Sequence, residues 1–275
     1  MPSILIFFAF LGHTAQAHLE QIASSKPLYE FGVLGGMGYI PDYPASDQGR
    51  VRYLVLPQIR YRGLRFRSDE EDTVKARIFT DPLYGFDLSA AGTFPTNSSK
   101  NEAREGMPDL DWIGEIGPRF YLYLMRTEKI WVRLFFPLRM AFSTDFTGAT
   151  YQGLVVAPSF NARYFFDESK FNSIVFASTR TYTTSQLQEY FFEVDSKFST
   201  PNRPQYEAGA GYLSTSAGLA YIYEKDNLGL YSGLGVVSYK GGANAGSPLH
   251  KADHTFSVFM AISYLFYQSK ERGFQ

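Results

Sequence analysis

The sequence contains no cysteine, and its 275 residues include only four histidines. The lack of cysteine excludes disulfide frameworks, thiolate zinc sites and cysteine nucleophiles. Acidic and basic residues balance to a formal net charge of −1, which provides no overall attraction to nucleic acid, so we expect no nucleic-acid partner. Outside the amino terminus, no apolar run approaches the roughly 18 residues of a membrane-spanning helix.

Aromatic residues are abundant, with 20 tyrosines and 25 phenylalanines, yet the mean hydropathy of −0.19 is that of a soluble protein. A transmembrane β-barrel combines these two properties. Its strands alternate apolar and polar residues, so that averaging along the chain hides the apolar face.

The amino terminus has the features of a secretory signal peptide. Residues 4–11 form an apolar run of suitable length, and Ala15 and Ala17 give the small-x-small pattern of a cleavage site, although no Lys or Arg precedes the run. We therefore predict a signal peptide at residues 1–17 and a mature domain at residues 18–275.

Residues 111–143 contain the clearest structural pattern, two long arms with a period of two around a short turn. One face of both arms is apolar. The other face carries charged side chains, namely Asp111, Glu115, Arg119, Arg133 and Arg139. Each arm is longer than a usual soluble strand and reaches the length that crosses a bilayer. We expect the apolar face to contact lipid and the charged residues to face the lumen.

Similar alternating stretches recur along the mature chain. They predict an all-β, antiparallel, up-and-down transmembrane barrel of about twelve strands, with ten as the alternative. The uncertain strands lie near residues 65–80 and 190–194. In this count, the long loop at residues 95–106 falls at the periplasmic end of the barrel.

The register of the hairpin predicts one specific contact. If the turn is centred on Thr127, Glu115 lies opposite Arg139, and we predict an ion pair between them inside the lumen. Such a pair suits the charged constriction of a pore. It equally suits a structural role, because an inward charge in a narrow barrel needs a partner, and we favour this second interpretation.

Four arginines cluster around one turn, at Arg60, Arg62, Arg65 and Arg67. The cluster is a candidate site for an anion or for lipopolysaccharide. The alternative is a solvated rim, partly neutralised by the acidic residues at positions 69–72, and we favour this alternative because exposed charges of both signs are common.

We predict no enzymatic activity, no cofactor and no metal site. Ser247 with His250 or His254 is the nearest approach to a nucleophile and a base, but all three lie in a predicted loop. The acidic residues lack the spacing of a calcium-binding loop.

Several short segments resemble the MipA/OmpV family of Gram-negative outer-membrane proteins. They follow the family order over nearly the whole mature chain, at residues 56–57, 61–63, 107–111, 115–117, 137–139, 190–194, 203, 206–209, 247–249 and 264–266. Met107 and the Phe192-Glu193 pair depart mildly from the family pattern. The family chain normally ends at the aromatic residue that corresponds to Phe266, whereas this chain continues to Gln275.

The resemblance implies an outer-membrane location and a scaffold that binds a murein lytic transglycosylase and a murein synthase. It supplies no catalytic residues. The alternative is a porin-like channel for small solutes or ions, and a third interpretation is an adhesin or an outer-membrane hydrolase. The expected partners are therefore outer-membrane lipid and the two murein enzymes.

Overall fold

The computed structural model describes residues 23–63, 66–69, 72–76, 79–80 and 83–274. The predicted signal peptide lies outside these residues. Within them, fourteen strand segments form one antiparallel sheet, and two further segments form a small sheet. This architecture confirms the predicted all-β antiparallel barrel.

The strands have the following bounds: β1 Ala23–Pro27, β2 Tyr29–Pro41, β3 Gly49–Arg62, β4 Phe66–Asp69, β5 Asp72–Ala76, β6 Phe79–Thr80, β7 Tyr84–Thr93, β8 Trp112–Arg126, β9 Ile130–Thr144, β10 Ala149–Val156, β11 Ser159–Phe165, β12 Asn172–Thr183, β13 Gly211–Lys225, β14 Leu228–Ser238, β15 His254–Gln268 and β16 Arg272–Phe274. The α-helix α1 is Ser185–Phe192.

Sequential strands are neighbours nearly everywhere, and β15 closes back onto β2. β10 and β11 share one position between β9 and β12. β5 pairs with β4, whereas β6 pairs with β7. When β5 and β6 are taken as one position, and β10 and β11 as another, the described segments occupy twelve positions.

Two of the strands predicted from sequence differ in the structure. The stretch near residues 190–194 was expected to be a strand, but it overlaps α1, whose buried residues Leu187, Gln188, Phe191 and Phe192 repeat every three to four positions. The stretch near residues 65–80 yields only short segments. No helix in the described part of the chain is long and apolar enough to cross a membrane.

The strand faces follow the alternation in the sequence. On β8 and β9 the outward residues Ile116, Phe136 and Met140 are 44–47% exposed, whereas the inward Glu115 and Arg133 are 3% and 0% exposed. An apolar exterior with a charged interior is the pattern of a membrane-spanning barrel.

The two ends of the barrel differ in their connections. One end has the short turns, including residues 127–129 and 226–227, and the small sheet in which β1 pairs with β16. The other end has the long connections, including residues 94–111, 184–210 and 239–253. Because short turns of outer-membrane barrels face the periplasm, we assign the long connections to the cell exterior.

This assignment corrects the sequence-based position of residues 95–106. The strand count from sequence placed that loop at the periplasmic end. In the structure, the short β4–β5 hairpin adds one reversal of the chain, so the loop joins the other long connections.

The residues beyond Phe266 are part of the fold. β15 continues to Gln268, and β16 then pairs with β1, with Arg272 opposite Pro27. The Leu28 amide donates to the Glu271 carbonyl at 2.8 Å. The carboxyl-terminal extension thus holds the amino-terminal strand at the periplasmic mouth.

The β8–β9 hairpin has a two-residue tight turn and one bulge. The Thr127 amide donates to the Ile130 carbonyl, which makes the turn at residues 128–129. The register then shifts between Tyr123 and Met125, so Glu115 faces Ala141 rather than Arg139. A two-residue turn alone would set inward residues against outward ones, and the extra residue of the bulge restores the match.

Gly117 lies where β8 approaches β9 most closely. A Cβ atom there would overlap the Leu138 carbonyl oxygen and would lie 2.8 Å from the Arg139 Cα. Gly114, on the same strand, has no atom of the described residues within 4 Å of its ideal Cβ position, apart from its own chain neighbours. The two glycines therefore form a matched pair for substitution.

We expect Gly117→Ala to lower the free energy of unfolding by about 1–3 kcal/mol, the usual cost of overpacking. Gly114→Ala should change it by much less, because its Cβ enters open space. Urea titration of the barrel in lipid vesicles measures both values. Equal destabilisation by the two substitutions would contradict the close approach at Gly117.

Candidate functional site: a filled lumen between a loop cap and a vestibule

The structure brings Glu115 and Arg139 together inside the barrel. The Arg139 Nε donates to the Glu115 Oε2 at 2.9 Å, and both side chains are buried. The two residues are diagonal neighbours, because the directly facing partner of Glu115 is Ala141. Diagonal positions on one face lie within reach of a long side chain.

A second ion pair lies beside the first. Arg119 binds Asp87 through two parallel hydrogen bonds, from Nε at 2.8 Å and from Nη2 at 2.6 Å. Arg119 was predicted to face the lumen, whereas Asp87 was not singled out. The alternation along residues 83–94 places Asp87 on the polar face and was the signal that could have identified it.

Aromatic side chains fill the lumen around these pairs. The guanidinium groups of Arg119 and Arg133 lie 4.4 Å and 5.0 Å from the ring centre of Phe135. Arg133 is fully buried and donates to the Asn161 Oδ1 at 3.1 Å. Trp131 contacts Phe165 edge to face, with ring centres 4.8 Å apart. Ion pairs and cation–π contacts therefore occupy the middle of the barrel.

Asp111 does not face the lumen. It is exposed and precedes the first residue of β8, and its backbone amide donates to the Tyr190 hydroxyl at 2.7 Å. The chain has already left the barrel wall at this position, so the alternation of β8 does not extend to it.

The basic turn cluster is not a solvated rim where its side chains are described. Arg60 binds Glu224 at 2.9 Å, and Arg62 binds Glu30 at 2.6 Å. Arg60 is 6% exposed and Arg62 is 0% exposed, because the alternation of β3 turns both inward. The acidic partners that the structure describes come from β13 and β2. Arg65 lies outside the described residues, and only the backbone of Arg67, opposite Arg62, is described.

A cavity of about 410 Å³ opens at the periplasmic end, and we call it the vestibule. Charged residues of both signs and aromatic residues line it, including Lys26, Arg60, Arg62, Arg163, Lys170, Arg272, Glu30, Glu224, Asp226, Trp131, Phe165 and Phe171. They come from both chain termini and several strands, so the folded barrel is needed to assemble this surface.

A hydrogen-bonded turn at residues 167–171 borders the vestibule. The Asp167 carboxylate accepts hydrogen bonds from the Ser169 hydroxyl, the Asn172 side chain, and the backbone amides of Phe171 and Asn172. The hydrogen bond from Ser169, followed by that from Asn172, lowers the pKa of Asp167 to about 2. The charged form, which holds the turn, is therefore retained at neutral pH and lost only as the pH falls towards that value.

At the opposite end, the long connections pack into a cap with its own apolar core. Leu187, Phe191 and Phe192 of α1 pack with Tyr43, Leu110 and Leu249 from other connections. The Tyr43 hydroxyl donates to the Leu249 carbonyl at 2.8 Å, and burial raises the pKa of Tyr43 well above its usual range. The cap covers the exterior end of the lumen.

Two arginines connect the loops of the cap. Arg203 donates to the carbonyl oxygens of Phe198, Ala103 and Glu105 at distances of 2.8–3.1 Å. Arg104 donates to the Phe191 carbonyl at 3.3 Å. Burial lowers the pKa of Arg104 to about 10, so it keeps its charge at neutral pH.

Many of the family-like segments noted in the sequence fall in this cap. Residues 107–111, 190–194, 203, 206–209 and 247–249 all belong to the long connections. These segments thus contribute to the closure of the exterior end.

Ser247 and His250 do not form a catalytic pair. The Ser247 hydroxyl donates to the Phe192 carbonyl at 2.7 Å, whereas the His250 Nε2 contacts the Asp253 Oδ1 at 3.0 Å. Among the described residues, no group of three or more His, Cys, Asp or Glu side chains is arranged to hold a metal ion.

The buried ion pair predicts that a single substitution destabilises the barrel more than the matching double substitution does. Arg139→Gln leaves the Glu115 carboxylate buried without its cation, and we expect a loss of about 3–5 kcal/mol in unfolding free energy. The double variant Glu115→Gln/Arg139→Gln should recover much of this loss, because no buried charge remains. Urea titration in vesicles measures both.

Lys197→Gln is the matched control. Lys197 forms an exposed ion pair with Asp195 at 3.3 Å, and such pairs contribute roughly 0–1 kcal/mol. A loss for Arg139→Gln as small as that for Lys197→Gln would contradict a desolvated Glu115–Arg139 pair.

Several solved outer-membrane proteins are structurally similar to this chain at low sequence identity. The COG4313 outer membrane channel from Pseudomonas putida F1 has a TM-score of 0.48 and 11% identity, with 91% of this chain and 100% of that chain covered. A bacterial polysaccharide outer membrane secretin has a TM-score of 0.43 and 10% identity, with 89% and 100% covered. The NanC porin has a TM-score of 0.39 and 9% identity, with 85% and 98% covered.

No curated protein sequence matches the chain significantly. A family model does match, over residues 33–266, which include β3 to β14 and most of β2 and β15. This range contains the cap, the filled lumen and most of the residues that line the vestibule. The chain is therefore an outer-membrane β-barrel protein that belongs to the family of the MltA-interacting protein MipA.

Proposed function

We propose that the protein is a non-enzymatic anchor in the Gram-negative outer membrane, which holds a murein lytic transglycosylase, and with it a murein synthase, at the periplasmic end of the barrel. The observation that carries the proposal is the contrast between the two ends. The cap closes the exterior end, whereas the vestibule opens towards the periplasm. The family description, MltA-interacting protein, supports the same class of partner.

The filled lumen argues against a channel. The inward charges of Glu115, Arg139, Asp87 and Arg119 bind one another at distances of 2.6–2.9 Å, instead of forming a ring around open space. A conducting pore needs a continuous wet path with charges directed at the ion. An anchor functions equally well with a closed lumen.

The vestibule has the composition of a recognition surface. It combines charged residues of both signs with aromatic groups, which are able to contribute both electrostatic specificity and apolar contact. Lys170 is accessible at its border, and its ammonium group lies 4.9 Å from the ring centre of Trp131. A periplasmic partner would meet this surface first.

A charge reversal at each end of the barrel tests the location of the binding surface. We expect Lys170→Glu to weaken binding of a purified murein lytic transglycosylase of the MltA type by roughly tenfold, a plausible effect for an interfacial charge. Lys240→Glu is the matched control, because Lys240 is exposed next to the cap. Binding to the mature barrel in nanodiscs is measured by biolayer interferometry.

The same preparations are examined for single-channel conductance in planar bilayers. A silent wild-type barrel that binds the enzyme, and loses affinity through Lys170→Glu only, is the expected result. Steady conductance without enzyme binding would contradict the anchor and support a channel. Equal effects of the two substitutions would place the binding surface elsewhere.

A further inference from the structure

The vestibule has the size of a small-molecule site. Its volume of about 410 Å³ lies within the range of roughly 300–1,000 Å³ that is common for ligand pockets. A folded partner is too large to enter such a cavity and covers its mouth instead. The vestibule therefore has room for a small ligand of its own.

The charges along the lining favour an anionic ligand. Its acidic side chains are Glu30, which Arg62 binds at 2.6 Å, Glu224, which Arg60 binds at 2.9 Å, and Asp226. Basic side chains outnumber these three acidic ones, since the lining includes six, namely Lys26, Arg60, Arg62, Arg163, Lys170 and Arg272. A cleft lined by an excess of one charge concentrates ligands of the opposite charge.

Aromatic rings hold two of these cations at one wall. Trp131 and Phe165 are each 2% exposed and line the cavity. The Lys170 ammonium lies 4.9 Å and 5.4 Å from their ring centres. The Arg163 guanidinium lies 4.7 Å from the ring centre of Phe165, and its Nε donates to the Ser173 hydroxyl at 3.0 Å. These contacts position both cations through neutral groups, so they leave the positive charge of the wall intact.

The backbone at Lys170 is a second, independent observation. Its φ of 60° lies in the left-handed region, which glycine and asparagine adopt more readily than lysine does. The turn at residues 167–171 fixes this conformation, and the Lys170 amide donates to the Asp167 carbonyl at 3.2 Å. An unfavourable conformation that the surrounding structure maintains points to a use for the side chain that it carries.

We propose that the vestibule binds a short peptide that has more carboxylates than amino groups, with one carboxylate at Lys170 and another near Arg163. Apolar parts of the peptide contact Phe171 and Leu228, which line the cavity and are 36% and 38% exposed. The peptide stem of murein has this chemistry, because its γ-linked glutamate and its diaminopimelate carry free carboxylates. The choice of murein as the source rests on the proposed anchoring function, which places murein enzymes at the same end of the barrel.

The probe is the murein tripeptide N-acetyl-L-alanyl-γ-D-glutamyl-meso-diaminopimelate, titrated into the mature barrel in nanodiscs without any murein enzyme. Isothermal titration calorimetry measures the affinity. The chain has two tryptophans, so the Trp112→Phe variant leaves Trp131 as a reporter in the vestibule wall. A carboxylate that draws the Lys170 ammonium away from the Trp131 ring should change the fluorescence of that ring.

Two substitutions in the lining should change the affinity in opposite directions. Lys170→Gln should weaken binding by roughly threefold to fivefold, the contribution of an exposed ion pair. Asp226→Asn should strengthen binding about twofold by removing a negative charge, and asparagine readily adopts the φ of 53° at this position. Lys240→Gln, next to the cap, is the matched control and should leave the affinity unchanged.

Two further peptides test the chemistry of the ligand and its source. The murein tripeptide with its carboxylates amidated should bind at least roughly tenfold more weakly, because the charge complementarity is lost. An N-acetylated tripeptide of L-glutamate, L-glutamate and L-lysine has the same charges as the murein tripeptide and represents an acidic protein segment. Weaker binding of this peptide supports murein as the source, whereas equal or tighter binding overturns that source.

Heat-dependent migration in gels verifies that each variant is folded. If the folded barrel gives neither heat nor a change in Trp131 fluorescence with the murein tripeptide, the proposal is wrong. Equal effects of Lys170→Gln and Lys240→Gln, or weaker binding by Asp226→Asn, would also overturn it. The anchor is tested separately: a barrel that holds the enzyme but not the tripeptide overturns this inference alone, and a barrel that binds the tripeptide but not the enzyme overturns the anchor alone.

Discussion

The structure depends on one constraint, that every backbone amide and carbonyl within hydrocarbon must have a hydrogen-bond partner in the protein. Antiparallel ladders satisfy this requirement over most of the barrel, from β7 through β15 and β2 to β3. The ladders in turn force side chains to alternate between lipid and lumen. The outer surface must then be apolar, and everything polar along a strand is directed inwards.

The inward polar groups create a second requirement. In a barrel of this width the interior is too narrow to hydrate every charge, so carboxylates and guanidinium groups must neutralise one another. Arg62 with Glu30, Arg119 with Asp87, and Arg139 with Glu115 meet this need. In these pairs the charges are directed at one another, whereas a selective pore would direct them at ions. The filled lumen thus follows from the same alternation that builds the wall, which leaves the two ends of the barrel as the places for function.

The sequence predicted the features that depend on a period of two. The lipid and lumen faces of β8 and β9 follow directly from it, as does the proximity of Glu115 and Arg139. The register did not follow, because the turn at residues 128–129 and the bulge at Leu124 shift the facing partner by two residues. The contact exists despite this shift because an arginine side chain spans the diagonal distance. Predictions based on long side chains therefore tolerate an error in register that a prediction of backbone pairing does not.

Features that interrupt the period were harder to predict. The segment at residues 190–194 reads as a strand because aromatic residues favour strands, yet tertiary packing in the cap selects a helix. Thr184 and Ser185 before residues spaced at three to four positions were the available signal. The cap is thus where the chain departs from the ladder. Because a regular wall can vary little without exposing backbone to lipid, such departures are where a barrel acquires properties of its own.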